Sequence, residues 1–551
     1  MKAIQKIIVL LLLIVVGVFG YLTITKEKKV IHPNETTQFV LITEKKLIQM
    51  PFPKEDIAWI AQEGWMPQTL LDLYNIYADY DTEEGLVTVS DGYETVTYDL
   101  IYELASQNGT NIEMTKPIIK EGLLWLPIKD LKDIFHIQYD VNLEQKTFFA
   151  KKIDASYNLA DVTSATDLMS KTDEDRILKE VKEGETVVVF PFDENWNHVM
   201  TTDYQVGYVE NTSTGAERLY TSDIQVVRPK IDRTEKVYLT WEIYGRGYDT
   251  NKIGEMRGVN VISPAWYALS DNKGNFESKA SENYTAWAKE RGYEVWALVS
   301  NDFKVDRTSQ FLHSAEARQY FITNLLKEYK AMGYDGVNID FENVYKEDKR
   351  QLTQFVAELT SEFRAEGLVV SMDVTVPGGS DTWSKCYDRP ALGYLVDYLA
   401  IMTYDEHWAS SPISGSVASY NWVKRNMELI SEMVPKEKLL LGIPYYMRVW
   451  TETPSTERAN AMSVKSGVLN MPNAERFIEE KNLNLIWDEN ARQYYAGYIE
   501  NGAVKKIWFE NAASIKEKAS LIKELDLGGA AVWRRGFETQ DVWGIIDDAM
   551  K

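Results

Sequence analysis

The chain has 551 residues, enough for about three or four domains of ordinary size. Its hydrophobic content of 45%, with 12% aromatic residues, is typical of a chain that folds around buried cores. The formal net charge of −23 excludes a nucleic-acid partner, because a polyanion would be repelled. With Cys386 as the single cysteine no disulfide can form within the chain, and the five histidines lack zinc-site spacing. We therefore predict no metal and no other cofactor.

The N-terminal segment is predicted to be a membrane anchor. Residues Ile7 to Ile24 form an apolar run long enough to cross most of a bilayer, and Lys2 and Lys6 precede it. The lysine-rich stretch that follows has no small-residue cleavage site, so a retained signal anchor is favoured rather than a cleaved signal peptide. The predicted anchor spans residues 1–29. We expect a single-pass protein of the cell membrane with its bulk extracellular, or a secreted protein if the segment is cleaved.

Residues 35–152 are predicted to form a small α+β domain. They contain a hairpin pattern from Lys116 to Ile128, a short amphipathic helix candidate from Lys129 to Phe135 and a strand from Gln138. The pattern resembles the stalk-type N-terminal domains of some bacterial copper amine oxidases and of secreted cell-wall proteins. On that resemblance we interpret this domain as a spacer.

A linker and a second small domain are predicted next. Residues 153–175 are rich in Ser, Thr and Asp, as linkers are. Residues 176–230 alternate apolar and polar positions at strand period, as from Thr186 to Phe190, with turn residues between. This pattern resembles a small bacterial SH3-type β-barrel, a module that attaches proteins to the bacterial cell wall. The alternative is another small β-domain, because the pattern indicates the fold better than the ligand.

Residues 234–551 show a different pattern, in which short apolar strands recur with helix-like amphipathic stretches between them. Eight such strands predict a C-terminal (β/α)₈ TIM barrel, so the fold class is α/β with two small domains before the barrel. Barrel enzymes carry their chemistry at the C-terminal ends of the strands. The predicted strands are Val237–Trp241, Gly258–Pro264, Glu294–Ser300, Gly336–Phe341, Val369–Val374, Tyr398–Thr403, Leu439–Pro444 and Gly529–Trp533.

The fourth of these strands carries two carboxylic acids and an amide on one face. In the run from Asp335 to Glu342, the side chains of Asn338, Asp340 and Glu342 alternate with apolar ones, so all three point into the barrel. The run contains no Lys or Arg, and two buried carboxyl groups this close cannot both ionise freely. One pKa must rise, and a carboxyl group that keeps its proton near neutral pH can act as a general acid.

This run resembles the Asp-x-x-Asp-x-Asp-x-Glu motif of glycoside hydrolase family 18, the chitinase-like enzymes. Three other strand ends match the family as well: Met402 to Asp405 is similar to its Met-x-Tyr-Asp motif, Gly442 to Tyr446 is followed by Arg448, and the eighth strand ends at Trp533. The subgroup of spore-cortex and peptidoglycan N-acetylglucosaminidases matches best. The resemblance therefore covers the whole predicted barrel.

The sequence departs from the motif at Asn338, which stands where the family has its middle aspartate. An amide can hydrogen-bond Asp340 but cannot take a proton from it, so proton coupling along this strand should differ from that of the family. The carboxyl group of Glu342, the family's proton donor, is present.

The resemblance implies substrate-assisted, retaining cleavage of β-linked N-acetylglucosamine polymers, with the substrate's own acetamido group as nucleophile. It implies three catalytic residues: Glu342 as proton donor, Asp340 as the group that orients the acetamido N–H, and Tyr404 as donor to the acetamido oxygen. The implied substrate-binding residues are Asn338, Met402, Asp405, Arg448 and Trp533.

Three functions stay open at this point. The first is a glycosidase acting on peptidoglycan or chitin-like glycans. The second is a catalytically weak or inactive, chitolectin-like wall protein; such proteins typically lose the acid, whereas Glu342 is present. The third is a surface scaffold without chemistry. Packing is the alternative role for Trp533 and Tyr404. Three further tryptophans near strand ends are candidates for additional sugar subsites: Trp241, Trp266 and Trp408.

Overall fold

The computed structural model describes residues 36–43, 46–172, 177–228, 233–244, 247–454 and 462–551. The membrane anchor predicted over residues 1–29 lies outside these ranges. Within them, no helix combines the length and the apolar character needed to cross a membrane. The described chain divides into two compact units: residues up to Trp65 with Ile128–Val226, and Met66–Pro127 with Val227–Lys551.

The second unit contains a barrel of eight parallel strands. They are β1 Val237–Glu242, β2 Val261–Leu269, β3 Glu294–Ser300, β4 Gly336–Asp340, β5 Val369–Thr375, β6 Tyr398–Met402, β7 Leu439–Pro444 and β8 Gly529–Trp533. Each strand pairs with the next along the chain, and β8 pairs with β1 to close the barrel. The predicted (β/α)₈ barrel is confirmed.

The observed strand bounds follow the predicted ones, with the largest difference at β2. This strand runs from Val261 to Leu269 rather than from Gly258 to Pro264, and its end pairs antiparallel with Phe276–Ser278. Gly258 has a φ of +82°, and a Cβ there would lie 2.5 Å from the Cβ of Asp547. Gly258 therefore belongs to the turn before the strand, where only glycine fits.

Helices follow the barrel strands from β2 onward and cover them. They are α1 Glu282–Glu290, α2 Val305–His313, α3 Ala315–Met332, α4 Lys349–Ala365, α5 Arg389–Leu395, α6 Tyr420–Ser431, α7 Ala512–Glu524 and α8 Val542–Met550. The start of α3 is capped by the Ser314 hydroxyl, which accepts from Ala317 N, and its end by Gly333 at a φ of +67°. Short 3₁₀ turns lie at Thr250–Lys252, Lys346–Asp348 and Lys436–Lys438.

Between β7 and α7 the chain forms an inserted antiparallel sheet and one helix. The strands are Tyr446–Pro454, Met462–Asn470, Ile486–Asp488, Gln493–Glu500 and Ala503–Phe509, and the helix is Met471–Lys481. The first inserted strand begins two residues after β7 ends. The insertion therefore starts at the barrel end where the C-termini of the strands meet.

The first unit holds two sheets. A four-stranded sheet, with helices Ile57–Glu63 and Ile128–Leu131, contains Thr37–Ile42, Leu47–Phe52, Ile137–Asn142 and Thr147–Lys152. A seven-stranded sheet contains Tyr157–Asp161, Thr166–Met169, Ile177–Val181, Thr186–Pro191, Trp196–Met200, Val206–Glu210 and Arg218–Tyr220, with a 3₁₀ turn at Asn211–Ser213. The resemblances to SH3-type and stalk-type domains stay predictions.

The linker predicted over residues 153–175 is corrected by two strands of the seven-stranded sheet, Tyr157–Asp161 and Thr166–Met169. Each strand contributes one fully buried side chain to the sheet's core, Ala160 and Leu168. The remaining residues of both strands are partly or fully exposed, and many of them are polar. Such a composition matches that of a linker, so pairing with neighbouring strands decided the structure.

The domain predicted over residues 35–152 is also divided differently, because residues 66–127 belong with the barrel. They form a five-stranded antiparallel sheet that packs on α3 and α4. The spacer interpretation is therefore corrected for this part. The five strands, named here the side sheet, are Tyr77–Asp81, Leu86–Ser90, Thr95–Asp99, Leu104–Gln107 and Thr110–Ile112. The flanking elements are Trp65–Pro67, Gln68–Leu71, Asp72–Tyr74, Ile118–Lys120 and Leu123–Pro127.

A buried guanidinium lies at the contact between the side sheet and the barrel helices. The Arg318 side chain on α3 is 0% exposed, and its Nε and Nη2 donate to the two carboxylate oxygens of Glu358 on α4 at 2.9 and 3.1 Å. The side sheet adds Asp79, 3.1 Å from Nη1, and the Thr88 hydroxyl, which donates to Glu358 at 2.7 Å. Because charges on both sides complete one network, the sheet is part of the barrel unit.

Arg318→Met is expected to destabilise the second unit by about 3–5 kcal/mol, because it leaves buried carboxylates without a cation. Lys330→Ala is the matched control. Lys330 pairs with Glu366 at 2.6 Å, also between α3 and the end of α4, but the two side chains are 50% and 42% exposed. Such surface pairs contribute about 0–1 kcal/mol. Urea unfolding measures the free energy of unfolding of both variants. An equal decrease in the two would contradict the larger contribution expected from the buried ion pair.

Candidate active site

The C-terminal end of β4 places an amide and two carboxyl groups on the inner face of the barrel. The alternating residues Val337 and Ile339 are fully buried in the core that includes the helices, as the strand period predicts. The strand begins at Gly336, where a Cβ would lie 2.7 Å from the Val369 carbonyl oxygen, so a glycine is needed at this position. Asp340 is buried, whereas Glu342, just beyond the strand, is partly accessible.

The side-chain amide of Asn338 is fully buried, and all its hydrogen-bonding positions are used. Its Oδ1 accepts from Trp241 Nε1 at 2.8 Å and from the Ser263 hydroxyl at 3.0 Å. Its Nδ2 donates to Asp373 Oδ1 at 2.8 Å and to the Ser371 hydroxyl at 3.2 Å. The expected roles of Asn338 as a partner of Asp340 and as a substrate-binding residue are therefore corrected, because the amide has no free group to offer.

Asp373 on β5 is a third buried carboxyl group of the site, and sequence reasoning missed it. It is 2% exposed, and its Oδ2 accepts from Trp241 Nε1 at 3.0 Å. Burial and the charge of Asp340 raise the pKa of Asp373 well above its ordinary value. A signal was present in the sequence: Ser371 and Asp373 interrupt the apolar β5 run at alternate positions, which places both on one face.

These carboxyl groups favour their protonated forms. Burial raises the pKa of Asp340 to about 7. Burial, followed by the charges of Asp340, Asp373 and Asp405, raises the pKa of Glu342 well above its ordinary value. Glu342 thus combines a raised pKa with partial accessibility of the residue. That combination is what a general acid requires.

Two polar side chains from other loops hold the backbone around Glu342. Asn301, which follows β3 and is fully buried, accepts from Glu342 N at 3.1 Å and donates to Glu342 O at 2.6 Å. The Tyr387 hydroxyl, beyond β5, donates to Phe341 O at 2.9 Å. The position of Asn301 directly after a predicted strand was the available signal for its role. Together these bonds fix where the Glu342 side chain leaves the backbone.

Four aromatic side chains lie beside the carboxyl groups. The ring of Trp241 lies 5.9 Å from that of Trp533 and 6.5 Å, edge to face, from that of Tyr404. Tyr404 in turn meets Tyr446 edge to face at 6.2 Å. Burial raises the pKa of Tyr404 well above its ordinary value, so its hydroxyl keeps its proton and can donate. The predicted Trp533 and Tyr404 are thus brought together, with Trp241 and Tyr446 as additions.

The predicted residues Asp405 and Arg448 form an ion pair at the rim, with Arg448 Nη2 3.2 Å from Asp405 Oδ1. Arg448 Nε is buried and has no hydrogen-bond partner among the described residues. Met402, at the end of β6, is buried. Of the other tryptophans, Trp266 is buried in the core and donates to the Tyr244 carbonyl, whereas Trp408 is 52% exposed. Packing is therefore the role of Trp266.

A closed (β/α)₈ barrel with buried carboxyl groups of raised pKa and aromatic rings at its strand ends has the features of a barrel glycosidase. Residues 237–538, more than half of the chain, match the family described as glycosyl hydrolases family 18. The chain belongs to this family, as the motifs at the strand ends predict.

Sequence relatives agree with this assignment, and a solved structure agrees with the fold. The uncharacterized glycosylase YvbX of Bacillus subtilis is 26% identical over 306 residues, which cover 53% of this chain and 85% of the relative. A cortical fragment-lytic enzyme of Bacillus anthracis is 27% identical over 253 residues, which cover 45% of this chain and little more than half, 57%, of that enzyme. The structure of the Bacillus megaterium spore cortex-lytic enzyme SleL matches with a TM-score of 0.50 at 19% identity, over 67% of this chain and 89% of that one. At that identity the likeness shows the fold alone.

Asp340→Asn is expected to stabilise the protein more at pH 8 than at pH 5. The pKa of Asp340 is raised from 3.8 to about 7, so its ionisation costs stability progressively as pH rises through that interval. The neutral amide removes this cost, and the stabilisation should grow by on the order of 2 kcal/mol between the two pH values. Thermal unfolding at pH 5 and pH 8 measures it.

The control is Asp381→Asn, since Lys346 and Lys385 lower the pKa of that exposed carboxyl group to about 2. No growing stabilisation should appear for this variant between pH 5 and pH 8. A stabilisation by Asp340→Asn that is the same at both pH values would show that the buried carboxyl group is not its source.

Proposed function

We propose that this glycosidase cleaves β-linked N-acetylglucosamine polymers with retention of configuration, and that peptidoglycan is its substrate, with chitin-like glycans as the alternative. The observation that carries the proposal is the placement of Glu342, partly accessible and with a pKa raised by burial and neighbouring carboxylates, beside the buried Asp340 in a family 18 barrel. The family resemblance suggests the sugar. The relative named for cortical fragments favours a wall glycan.

In the proposed reaction Glu342 donates its proton to the glycosidic oxygen while the bond from that oxygen to C1 breaks. The carbonyl oxygen of the substrate's 2-acetamido group attacks C1 and forms a cyclic oxazolinium intermediate. Asp340 accepts the acetamido N–H and stabilises the positive charge, and the Tyr404 hydroxyl donates to the acetamido oxygen. Water then attacks C1 while the bond from C1 to the acetamido oxygen breaks, and it gives a proton to the Glu342 carboxylate. This step restores the acetamido group, the acid and the original anomeric configuration.

The remaining residues are proposed to bind the sugar. Trp533 is half-buried beside Trp241 and suits the apolar floor under a pyranose ring. Arg448 has a buried Nε without a partner among the described residues, and Asp405 is partly exposed beside it, so both suit sugar hydroxyl groups. Met402 is proposed to pack beneath them.

Glu342→Gln is expected to slow hydrolysis of N-acetylglucosamine oligomers and purified peptidoglycan by about 10²–10⁴-fold, because an amide cannot act as the acid. Binding and thermal stability should persist. The measurement is release of reducing ends, with the anomeric configuration of the first product followed by NMR. Glu347→Gln, at a side chain 69% exposed in the next turn, is the matched control and should keep full activity.

Two outcomes would reject parts of the proposal. If wild type and Glu342→Gln bind these glycans and both leave them intact, the protein binds these carbohydrates without cleaving them, as the chitolectin-like alternative predicts. A product of inverted configuration, or equal cleavage of sugars lacking the N-acetyl group, would reject the substrate-assisted mechanism.

We also propose that residues 1–29 anchor the protein in the membrane, with its bulk outside, and that the seven-stranded sheet binds the bacterial cell wall. The apolar run after Lys6 supports the anchor. The SH3-type pattern of residues 176–230 supports wall binding, and the stalk-like pattern supports a spacer role for the four-stranded sheet. The barrel would then act on glycan close to the membrane.

Removing residues 2–29 from the Glu342→Gln protein is expected to move it out of the membrane fraction while leaving its sedimentation with purified wall intact. The apolar run is lost in this variant, whereas the seven-stranded sheet is unchanged. Membrane flotation and wall co-sedimentation measure the two attachments, and excess N-acetylglucosamine oligomer blocks binding through the barrel. Persistence in the membrane fraction would contradict the anchor, and complete release from the wall by the oligomer would contradict wall binding by the sheet.

A further inference from the structure

The register of β4 and β5 brings Asp340 and Asp373 side by side on the inner face of the barrel. Asn338 lies opposite Ser371 and Ile339 opposite Met372, so the next pair in this register is Asp340 and Asp373. Neighbouring strands are about 4.8 Å apart. The 3.2 Å hydrogen bond between the Asn338 and Ser371 side chains places these alternate positions on the same face. Two carboxyl groups therefore meet at one level of the barrel.

The two carboxyl groups have unequal surroundings. Both oxygens of Asp373 accept from N–H donors, Oδ1 from Asn338 at 2.8 Å and Oδ2 from Trp241 at 3.0 Å. Asp340 Oδ1 is buried and has no hydrogen-bond partner in the described part of the chain. N–H donors stabilise an ionised carboxylate, whereas burial without donors favours the protonated form. The donors therefore favour the carboxylate on Asp373, and the proton that the pair retains on Asp340, when no ligand is bound.

We propose that Asp373 is a positioning residue that shares this proton with Asp340, and so supplies from β5 the second carboxyl group that Asn338 does not supply from β4. The inference rests on the proposed function. When the substrate's acetamido N–H reaches Asp340, the proton moves from Asp340 to Asp373. Asp340 becomes the carboxylate that accepts the N–H and faces the positive intermediate. The proton returns when the product leaves, so the pair neither gains nor loses one in a cycle.

The amide at position 338 fits this arrangement. Its Nδ2 holds Asp373, and its Oδ1 accepts from Trp241 and Ser263, so it orients the second carboxyl group without adding a charge. An aspartate there would place a third carboxyl group beside Asp373 and Asp340. Mutual repulsion between buried carboxylates would then increase. Asn338 therefore holds Asp373 in place, and Asp373 supplies from the neighbouring strand the carboxyl group that position 338 lacks.

The first test compares kcat and its pH dependence in wild type, Asp373→Asn and the exchange variant Asn338→Asp/Asp373→Asn. Asp373→Asn should lower kcat by at least about 30-fold. The acidic limb of the plot of kcat against pH, which reports the ionisation of Asp340, should shift to lower pH by about 1 unit or more, because the neighbouring charge is lost. The exchange variant should recover at least about tenfold in kcat and move the limb back, since a carboxyl group again adjoins Asp340.

A merely structural role for Asp373 would lower kcat without moving the limb, and the exchange variant would not rescue it. Wild-type kcat and pH dependence in Asp373→Asn, or a folded exchange variant no better than Asp373→Asn, would overturn the inference. Should Asp373→Asn not fold, Asp373→Ser removes the same carboxyl group.

The second test needs no turnover and separates this inference from the proposed function. It compares the change in Tm between pH 5 and pH 8 for wild type, Asp340→Asn, Asp373→Asn and the double variant. If the two groups share one proton, each single substitution removes most of the pH-dependent loss, and the double variant removes little more. Additive effects would overturn the inference, even for a protein inert on N-acetylglucosamine substrates.

Discussion

The burial of several carboxyl groups without a cation is the physical constraint on which the active site depends. Elsewhere in the same unit, three buried acids have a basic partner close by: Glu242 pairs with Arg535, Glu358 with Arg318, and Glu510 with Lys518. In the barrel interior, Asp340, Glu342 and Asp373 rely on retained protons and on N–H donors instead. Since unpaired buried charge is costly, such an arrangement marks a site built for proton transfer. Stability is given up where the chemistry takes place.

The barrel meets this constraint by drawing polar side chains from several strands to one level. Trp241 comes from β1, Ser263 from β2, Asn338 from β4 and Asp373 from β5, and their hydrogen bonds join into one buried network. A network whose members are all satisfied is rigid, so it can hold Asp373 in a fixed position on the strand next to Asp340. The Asn301 amide does the same for the backbone of Glu342.

Segments outside the barrel contribute at two places. The inserted sheet after β7 supplies Arg448, which reaches Asp405 at the end of β6. The side sheet covers α3 and α4, the helices that lie between β3 and β4 and between β4 and β5. Because Arg318 needs carboxylates from both the sheet and α4, the outer faces of these helices are complete only with the sheet in place. The barrel unit is thus larger than its eight strands and helices.

The sequence by itself determined the barrel and the carboxyl groups of β4. Eight apolar runs at regular spacing and the period-2 pattern from Asp335 to Glu342 are local features, and strand geometry converts them directly into faces. Tertiary structure alone decided the rest. Asp373 became part of the site through the register between β4 and β5, and the side sheet joined the barrel through contacts that include the buried Arg318. Both depend on which distant segments pair, and the free energy of that pairing lies in contacts that no single stretch of sequence contains.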